Sequence, residues 1–300
     1  MKNKFSIGNY KPVSRWLLTG IGGLVIVAFI ANDGYVVATT MSEPTRIQSA
    51  GTQGTWGSVA WYFENRRLVL LTGVAPEVAE EPATTAFLND PDLREILPLL
   101  EEIEIAGEIT VGAQGAALFK GLPNLTKITG LANLKLASTE DIHEMFADNP
   151  KLVSLDSENL TVASAKNVNR MFANNPMLEE LNLIKVDFKG LSMNRASNIF
   201  QGTHNLKKIT FMNKAFGQQY HDNLGRAYNH VANEDESLEH VPNDAQYGGK
   251  WIQLKSGTER YPIYTATSAV LTGKQLLQHL GTTSAPGGTW VWAPAIMGVQ

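Results

Sequence analysis

Apolar residues recur at a fixed spacing through the middle of the chain. Four phenylalanines, Phe119, Phe146, Phe172 and Phe200, follow one another at intervals of 27, 26 and 28 residues. Each is followed by Leu six residues later and by Leu or Ile nine residues later. Because four segments agree at three positions, the pattern predicts a repeated structural unit that stacks on its neighbours.

The second half of each unit predicts a short strand. Residues 178–183 read Leu-Glu-Glu-Leu-Asn-Leu, and residues 206–211 read Leu-Lys-Lys-Ile-Thr-Phe. Both segments match L-x-x-L-x-L, the strand segment of a leucine-rich repeat. In such a strand, the apolar side chains at alternate positions point into the core.

The first half of each unit predicts a helix. Ile142, Met145 and Phe146 have the i, i+3, i+4 spacing of one helical face, and the next unit repeats this spacing. Ser138 is a candidate N-cap, and so is its counterpart Ser164. An Asn-Pro pair ends each of these two predicted helices, because proline cannot continue a helix.

Together these elements predict an α/β fold, a leucine-rich-repeat solenoid of short parallel strands plus helices in 26–28-residue units. The array is predicted to cover residues 83–254, with a polar insertion at residues 213–229. Its first strand is placed at residues 103–105, because Ile103 precedes Ile128 by 25 residues. A competing segment that ends at Ile96 fits this spacing less well.

Both flanks of the array predict capping structures, which open repeat arrays need in order to cover their exposed core. Residues 39–82 are predicted to form a linker and an N-terminal β-hairpin cap. Trp56 and Trp61 alternate there with small residues, and residues 65–66 mark a turn. Residues 255–300 are predicted to form a small C-terminal appendage.

The first 38 residues predict export. Four basic residues precede an apolar run from Trp16 to Ala31, and residues 36–38 offer small side chains for cleavage. This run is shorter than the ~20 residues of a spanning helix, so a signal peptide cleaved near Ala38 is favoured over an uncleaved N-terminal anchor. No second run of spanning length follows. The mature chain is therefore predicted to have no membrane span and to be secreted or at the cell surface.

Charge and cysteine content exclude several kinds of partner and site. The chain carries a net charge of −4, and residues 1–38 hold four bases and one acid, a net of +3, which leaves −7 for the predicted mature part. A negative surface repels phosphate backbones, so no nucleic acid is expected as a partner. The chain has no cysteine, which excludes disulfides, thiolate zinc sites and cysteine nucleophiles.

Catalytic motifs are missing from the sequence, so the protein is predicted not to be an enzyme and to need no cofactor or metal. None of the six histidines belongs to H-E-x-x-H, and no P-loop, Rossmann glycine pattern or G-x-S-x-G occurs. His143-Glu144 is predicted to be an exposed pair on a repeat helix. A secreted hydrolase is the less favoured alternative, with its site in residues 213–249. The polar side chains there are Tyr220, His221, Asp222, His230, Glu234, Asp235 and Glu236.

Alternation along the predicted strands defines a candidate ligand-binding face. The residues between the core leucines point away from the core, because alternate side chains of a strand lie on opposite sides of the sheet. In register, they are expected to form two polar columns across neighbouring strands. The columns consist of Lys127, Ser154, Glu180 and Lys208, and of Thr129, Asp156, Asn182 and Thr210. A third column, which consists of Leu131, Glu158, Ile184 and Met212, is expected to add an apolar rim. Repeat arrays commonly bind ligands on such faces, and an ordinary solvated sheet is the alternative.

Several segments also carry a family resemblance. They are Asn-Val-Asn-Arg-Met-Phe ending at Phe172, Leu-x-x-Leu ending at Leu181, the opening Gly-Thr-Trp-Gly around Trp56 and the closing Gly-Gly-Thr-Trp-Val-Trp ending at Trp292. With these segments, residues 54–292 resemble the BspA-type leucine-rich-repeat surface proteins of Gram-positive bacteria. The chain lacks the Asp-Thr-Ser that typically precedes the helix of that family, and it has no Leu-Pro-x-Thr-Gly sortase motif.

The resemblance implies a cell-surface protein for adhesion or recognition. Its expected partner is a protein or glycan ligand outside the cell, whose identity the sequence does not name. A passive structural protein of the cell envelope is the alternative.

Overall fold

The computed structural model describes residues 17–21, 24–30, 36–42, 52–76, 85–187, 196–212, 219–221, 227–229, 238–254, 269–280 and 287–295. The chain divides into two compact units, residues 1–54 and residues 55–300. Helix is scarce in these described ranges, where the α-helices are α1 (Pro91–Ile96) and α2 (Gly273–Leu280). Short 3-10 helices add Ala86–Asn89, Leu97–Leu99, Leu131–Asn133 and Ser157–Asn159.

Strands make up most of the regular structure and are numbered here in chain order. They are β1 (Leu17–Ile21), β2 (Leu24–Ile30), β3 (Val36–Ser42), β4 (Thr52–Trp56), β5 (Val59–Glu64), β6 (Arg67–Leu70), β7 (Gly73–Val74), β8 (Glu102–Ile105), β9 (Ile109–Thr110), β10 (Lys127–Thr129), β11 (Leu134–Lys135), β12 (Ser154–Leu155), β13 (Glu180–Leu183), β14 (Lys208–Phe211), β15 (Gln219–His221), β16 (Ala227–Asn229), β17 (Tyr247–Gln253), β18 (Val270–Leu271) and β19 (Gly288–Pro294).

The first unit contains an antiparallel sheet of β1, β2 and β3. Strand β3 includes Ala38, after which cleavage is predicted, and pairs it with Ala28 of β2. Among the described residues, no helix combines the length and the hydropathy needed to cross a membrane. Cleavage of residues 1–38 stays a prediction from the sequence.

Two sheets of the second unit carry the repeats. The first has the strand order β12-β10-β8-β6-β5-β4, and its members β6, β8, β10 and β12 run parallel. The second has the order β13-β14-β19-β17-β18, in which β13 and β14 are parallel and the remaining pairings are antiparallel. Each sheet therefore joins parallel repeat strands to antiparallel strands.

Each repeat forms a coil that is bonded to its neighbours on three sides. The first side is the parallel strand of the two repeat sheets. The second is the short edge β7-β9-β11, and a parallel bridge between Val162 and Val186 makes the same kind of contact in later coils. The third side carries parallel bridges that join Gln114, Asp141 and Asn167 of successive coils. The turns that contain the repeat phenylalanines follow these bridges, and this third side is also called the turn side below.

The predicted fold class is wrong, because the chain is not a leucine-rich-repeat solenoid of strands plus helices. The structure is mostly sheet with mixed strand directions. The segment 142–149, which has helical spacing, contains a turn at residues 143–146 and no helix. Ser164, a predicted N-cap, donates its hydroxyl to the carbonyl oxygen of Ala137 in the preceding coil at 2.7 Å.

Backbone hydrogen bonds explain why no helix forms. In a helix, each amide donates to the carbonyl four residues earlier. Here Glu144 N donates to Asn169 O at 2.9 Å, and Phe146 N donates to Met171 O at 3.0 Å, so both amides bond the next coil. Glu144 and Asp148 have φ values of 53° and 60°, which a right-handed helix excludes. The apolar spacing is met by turns that stack on one another.

Stacked phenylalanine rings form the centre of the core. The four repeat phenylalanines are fully buried, and their ring centroids are 5.6, 5.6 and 6.1 Å apart. At one end Trp56 packs edge-on against Phe87, and at the other Phe211 packs edge-on against the last ring of the column. Burial of these large rings is the main apolar contribution of the repeat to folding.

Buried asparagines bond the corner of one coil to the next. Asn149 Nδ2 donates to the carbonyl oxygens of Phe119 and Phe146 at 2.9 and 2.8 Å. Asn175 Nδ2 donates to those of Phe146 and Phe172 at 2.8 and 2.7 Å, and Asn175 Oδ1 accepts from Asn149 N at 3.1 Å. The Asn-Pro pairs predicted to end helices thus satisfy main-chain groups of two coils at once.

The flanking segments complete the repeat sheets. Asn65 and Arg66 have positive φ values of 49° and 65°, and they form the turn expected between β5 and β6. Strand β19 lies between β14 and β17, so part of the segment 255–300, predicted as an appendage, belongs to a repeat sheet. Within the predicted insertion 213–229, β15 and β16 pair in an antiparallel ladder.

Candidate binding face

The outward side chains of the parallel repeat strands form one face of the second unit, called the strand face below. Its first column consists of Arg67, Glu102, Lys127, Ser154, Glu180 and Lys208. The strand register aligns the first four of these residues in one sheet and the last two in the other. The second column lies two residues further along the last five of these six strands and consists of Glu104, Thr129, Asp156, Asn182 and Thr210.

All eight predicted ligand-binding residues lie on the strand face, and the structure places them in two groups. The group on β10 and β12 consists of Lys127, Thr129, Ser154 and Asp156, with Lys127 opposite Ser154. The group on β13 and β14 consists of Glu180, Asn182, Lys208 and Thr210, with Glu180 opposite Lys208 and Asn182 opposite Thr210. Contact of these residues with a ligand stays a prediction.

Side chains of the second column are held by local hydrogen bonds. Asp156 Oδ2 accepts from Gly130 N at 3.2 Å, and Asn182 Oδ1 accepts from Ile184 N at 3.2 Å. The hydroxyl of Thr210 lies 2.9 Å from a threonine hydroxyl of β19. These bonds give the second column a structural role, so the first column is the better candidate for ligand contact.

Cross-strand ion pairs lie at both ends of the strand face. Arg66 pairs with Glu101, Arg67 with Glu104 at 3.1 Å, Lys207 with Glu179 at 2.7 Å and Lys208 with Glu180 at 2.9 Å. The hydrogen bond to Glu179 raises the pKa of the Lys207 ammonium group. Because all these side chains are substantially exposed, the pairs orient the charges and contribute little stability.

The centre of the strand face differs from its ends. In the described part of the chain, β10 and β12 take part in no ion pair with a neighbouring strand. Lys127 and Ser154 are exposed there, and Val153 beside them is 45% exposed. A ligand would therefore meet a cation, a hydroxyl and an apolar side chain between two ion-paired ends.

Sequence reasoning missed the first third of the strand face. Arg67 and Glu102 align with Lys127 through the register of β6, β8 and β10. The signal was present, because residues 102–105 read Glu-Ile-Glu-Ile and alternate acidic with buried positions. Leu131, by contrast, was expected on the strand face and does not lie there. Its position in register predicted an apolar rim of the face, but it begins a 3-10 helix and is fully buried.

The His143 side chain is buried in a turn and does not form the exposed pair predicted for residues 143–144. It is 9% exposed, and its Nδ1 lies 2.7 Å from Asp141 Oδ1. Burial alone would raise the pKa of Asp141, but hydrogen bonds from His143 and Asn167 outweigh it and hold that pKa below its ordinary value. This pair fixes the turn, as Asp141 also accepts from the His143 amide at 2.9 Å.

Glu144 joins three successive coils on the turn side. It accepts hydrogen bonds from Lys120 Nζ at 2.5 Å and from Arg170 Nε at 2.9 Å. Burial would raise the pKa of Glu144, but the hydrogen bonds from these two cations lower it below its ordinary value. The contacts are structural, because each charge of the group is matched within the stack.

The chemistry expected of the rival hydrolase lies largely outside the described residues. Tyr220 and His221 belong to β15, whereas Asp222, His230 and residues 234–236 are not described. Within the described ranges, no group of three or more His, Cys, Asp or Glu side chains could hold a metal ion.

No protein-family model, curated protein or solved structure matches the chain. The resemblance to BspA-type surface proteins therefore rests on the sequence segments alone.

Proposed function

We propose that the protein is an exported, non-catalytic recognition protein that binds a protein or glycan ligand outside the cell through the strand face. The observation that carries this proposal is the first column, which presents one polar side chain per strand in register. The apolar residues between them are buried, so the column can vary without loss of the core. The leader pattern of residues 1–38 supports export.

A protein ligand or a glycan would be met by the same chemistry. Charged and hydroxyl side chains provide hydrogen-bond donors and acceptors, and Val153 adds an apolar contact at the centre. Because the ion pairs are exposed, they can exchange partners when a ligand binds.

Single-site blocking tests the proposal. The chain has no cysteine, so Lys127→Cys and Lys166→Cys each provide one position for a polyethylene glycol maleimide. Lys166 is the matched control, because it is an exposed lysine on the third side of the coils, where its side chain is 70% exposed. The full chain is applied to immobilised extracellular proteins and glycans before and after labelling.

Saturable binding that is blocked by the label at Lys127→Cys and retained with the label at Lys166→Cys supports recognition through the strand face. Binding that survives both labels, or is lost only with the label at Lys166→Cys, contradicts it. Saturable binding to none of the immobilised molecules would favour a passive structural role in the envelope.

A further inference from the structure

The two repeat sheets meet at β12 and β13, which are strands of consecutive coils but belong to different sheets. We call this boundary the joint. On either side of it, the parallel repeat strands are ladder partners, β10 with β12 and β13 with β14. The joint is therefore a break in an otherwise repeated bonding pattern.

Main-chain hydrogen bonds show how the joint differs. Two amides bond the coil of β12 to the coil of β10. Ser154 N donates to Thr126 O at 3.2 Å, and Asp156 N, two residues later, donates to Ile128 O at 3.1 Å. At the joint, the corresponding amide is that of Asn182, and it donates to the side-chain hydroxyl of Ser157 at 2.9 Å. A rotatable hydroxyl thus stands where a carbonyl of the ladder would be the acceptor.

Ser157 also occupies a position that apolar core residues hold in the coils after the joint. The positions equivalent to it in the next two coils hold Leu183 and Phe211, which are fully buried. Leu155, which precedes Ser157 on the inward side, is 8% exposed, whereas its equivalent Ile128 is fully buried. Ser157 is itself buried, so on the strand side a small polar side chain fills the place that larger apolar side chains hold in the coils after the joint.

The other sides of the same two coils are joined by main-chain hydrogen bonds. On the turn side, Phe146 N donates to Met171 O at 3.0 Å, and the rings of Phe146 and Phe172 are stacked. On the short edge, Asp187 N donates to Val162 O at 3.0 Å. In the described residues of these two coils, β12 and β13 on the strand side do not pair as a ladder.

From this asymmetry we infer that the joint is a hinge, at which the strand side opens while the turn side holds the two coils together. Local opening is cheapest where few main-chain bonds and little apolar packing must be broken, and rotation about an intact edge is the hinge type of motion. Opening changes the spacing between Ser154 and Glu180 of the strand face. The hinge itself does not rest on the proposed function, because it follows from the bonding of the coils alone.

Distance measurements test the hinge directly. Because the chain has no cysteine, nitroxide labels can be placed on the pair Lys127→Cys and Lys208→Cys, which spans the joint. The matched control is the pair Arg67→Cys and Ser154→Cys, which also spans three strand steps but stays within one ladder. Thermal melting of each labelled chain verifies that it is folded.

The hinge predicts a broad or two-peaked distance distribution for the pair across the joint and a single narrow one for the control pair. Equally narrow distributions for both pairs would overturn it.

Amide hydrogen exchange on the unmodified chain provides a second measurement. The amide of Asn182 is expected to exchange at least about tenfold faster than that of Thr210, its partner in register on β14, while Phe146 N stays protected. Equal protection of Asn182 and Thr210 would overturn the hinge even if the labels perturbed the fold.

Discussion

The rings of Phe146 and Phe172 are stacked within 3° of parallel, with their centroids 5.6 Å apart. They belong to consecutive coils, and each is fully buried. The column to which they belong therefore makes the packing of one coil depend on the next.

Removal of a ring from this column should destabilise the chain strongly. Phe172→Ala leaves a cavity between two neighbouring rings, and we expect a loss of about 3–5 kcal/mol of unfolding free energy, measured by urea denaturation. Met177→Ala is the control, because Met177 is 46% exposed and its truncation should cost less than about 0.5 kcal/mol. Similar losses for both variants would contradict the burial of the column.

Loss of a corner asparagine should cost stability through unsatisfied polar groups. Asn175→Ala removes the donor to two carbonyl oxygens and the acceptor of the Asn149 amide. A buried group without a partner costs about 1–3 kcal/mol, so the variant should lose at least about 2 kcal/mol in the same assay. Asn205→Ala is the matched change at an exposed asparagine, and a loss as large as that of Asn175→Ala would argue against the role of the corner.

The repeat and its strands could be predicted from the sequence. The spacing of the phenylalanines and leucines reflects their burial, whether the first half of each unit is a helix or a turn. The type of the first half-unit could not. Ile142, Met145 and Phe146 are buried at i, i+3 and i+4, which suits a helix as well as consecutive turns. The distinction lies in the left-handed backbone at Glu144 and Asp148, and neither residue type signals that conformation as glycine does.

The candidate face was predictable to the extent that alternation decides which way a side chain points. Glu180 and Lys208 were expected to be outward neighbours, and they pair at 2.9 Å. The joint was not predictable in the same way. It depends on a single serine at position 157, whose role as a hydrogen-bond acceptor is set by the neighbouring coil.

Acid should weaken the fold through Asp141 and Glu144. The pKa of each carboxyl group is lowered in the folded chain, so the folded state binds protons less readily than the unfolded state. The stabilisation is therefore complete above the ordinary carboxyl pKa and is lost as the pH falls through the lowered folded pKa.

Urea denaturation at a series of pH values from neutral to about pH 3 measures this loss, since ordinary carboxyl groups titrate near pH 4. Glu144→Gln should make the unfolding free energy less dependent on pH, whereas Glu158→Gln, at an exposed position, should leave the dependence as it is. An unchanged pH dependence in Glu144→Gln would show that its ion pairs do not contribute.

Export should be accompanied by processing near Ala38. The basic segment, the apolar run and the small residues 36–38 are those of a signal peptide. N-terminal sequencing of the exported protein should give a first residue at or near Thr39. An intact N-terminus on the cell-associated protein would instead support the uncleaved anchor.

Recognition through the strand face is tested most directly by reversal of one ion pair on it. Glu180→Lys with Lys208→Glu keeps the pair but inverts its direction, and Glu140→Lys with Lys166→Glu does the same for an exposed pair on the third side, where the two charges are 2.7 Å apart. Dissociation constants are measured by titration of the ligand identified among the immobilised proteins and glycans. The strand-face reversal should weaken binding at least about tenfold, or about 1.4 kcal/mol, at unchanged melting temperature, and added salt should weaken binding to the parent chain. Equal affinity of the parent and the strand-face reversal, or a loss only in the reversal on the third side, would contradict recognition through the strand face.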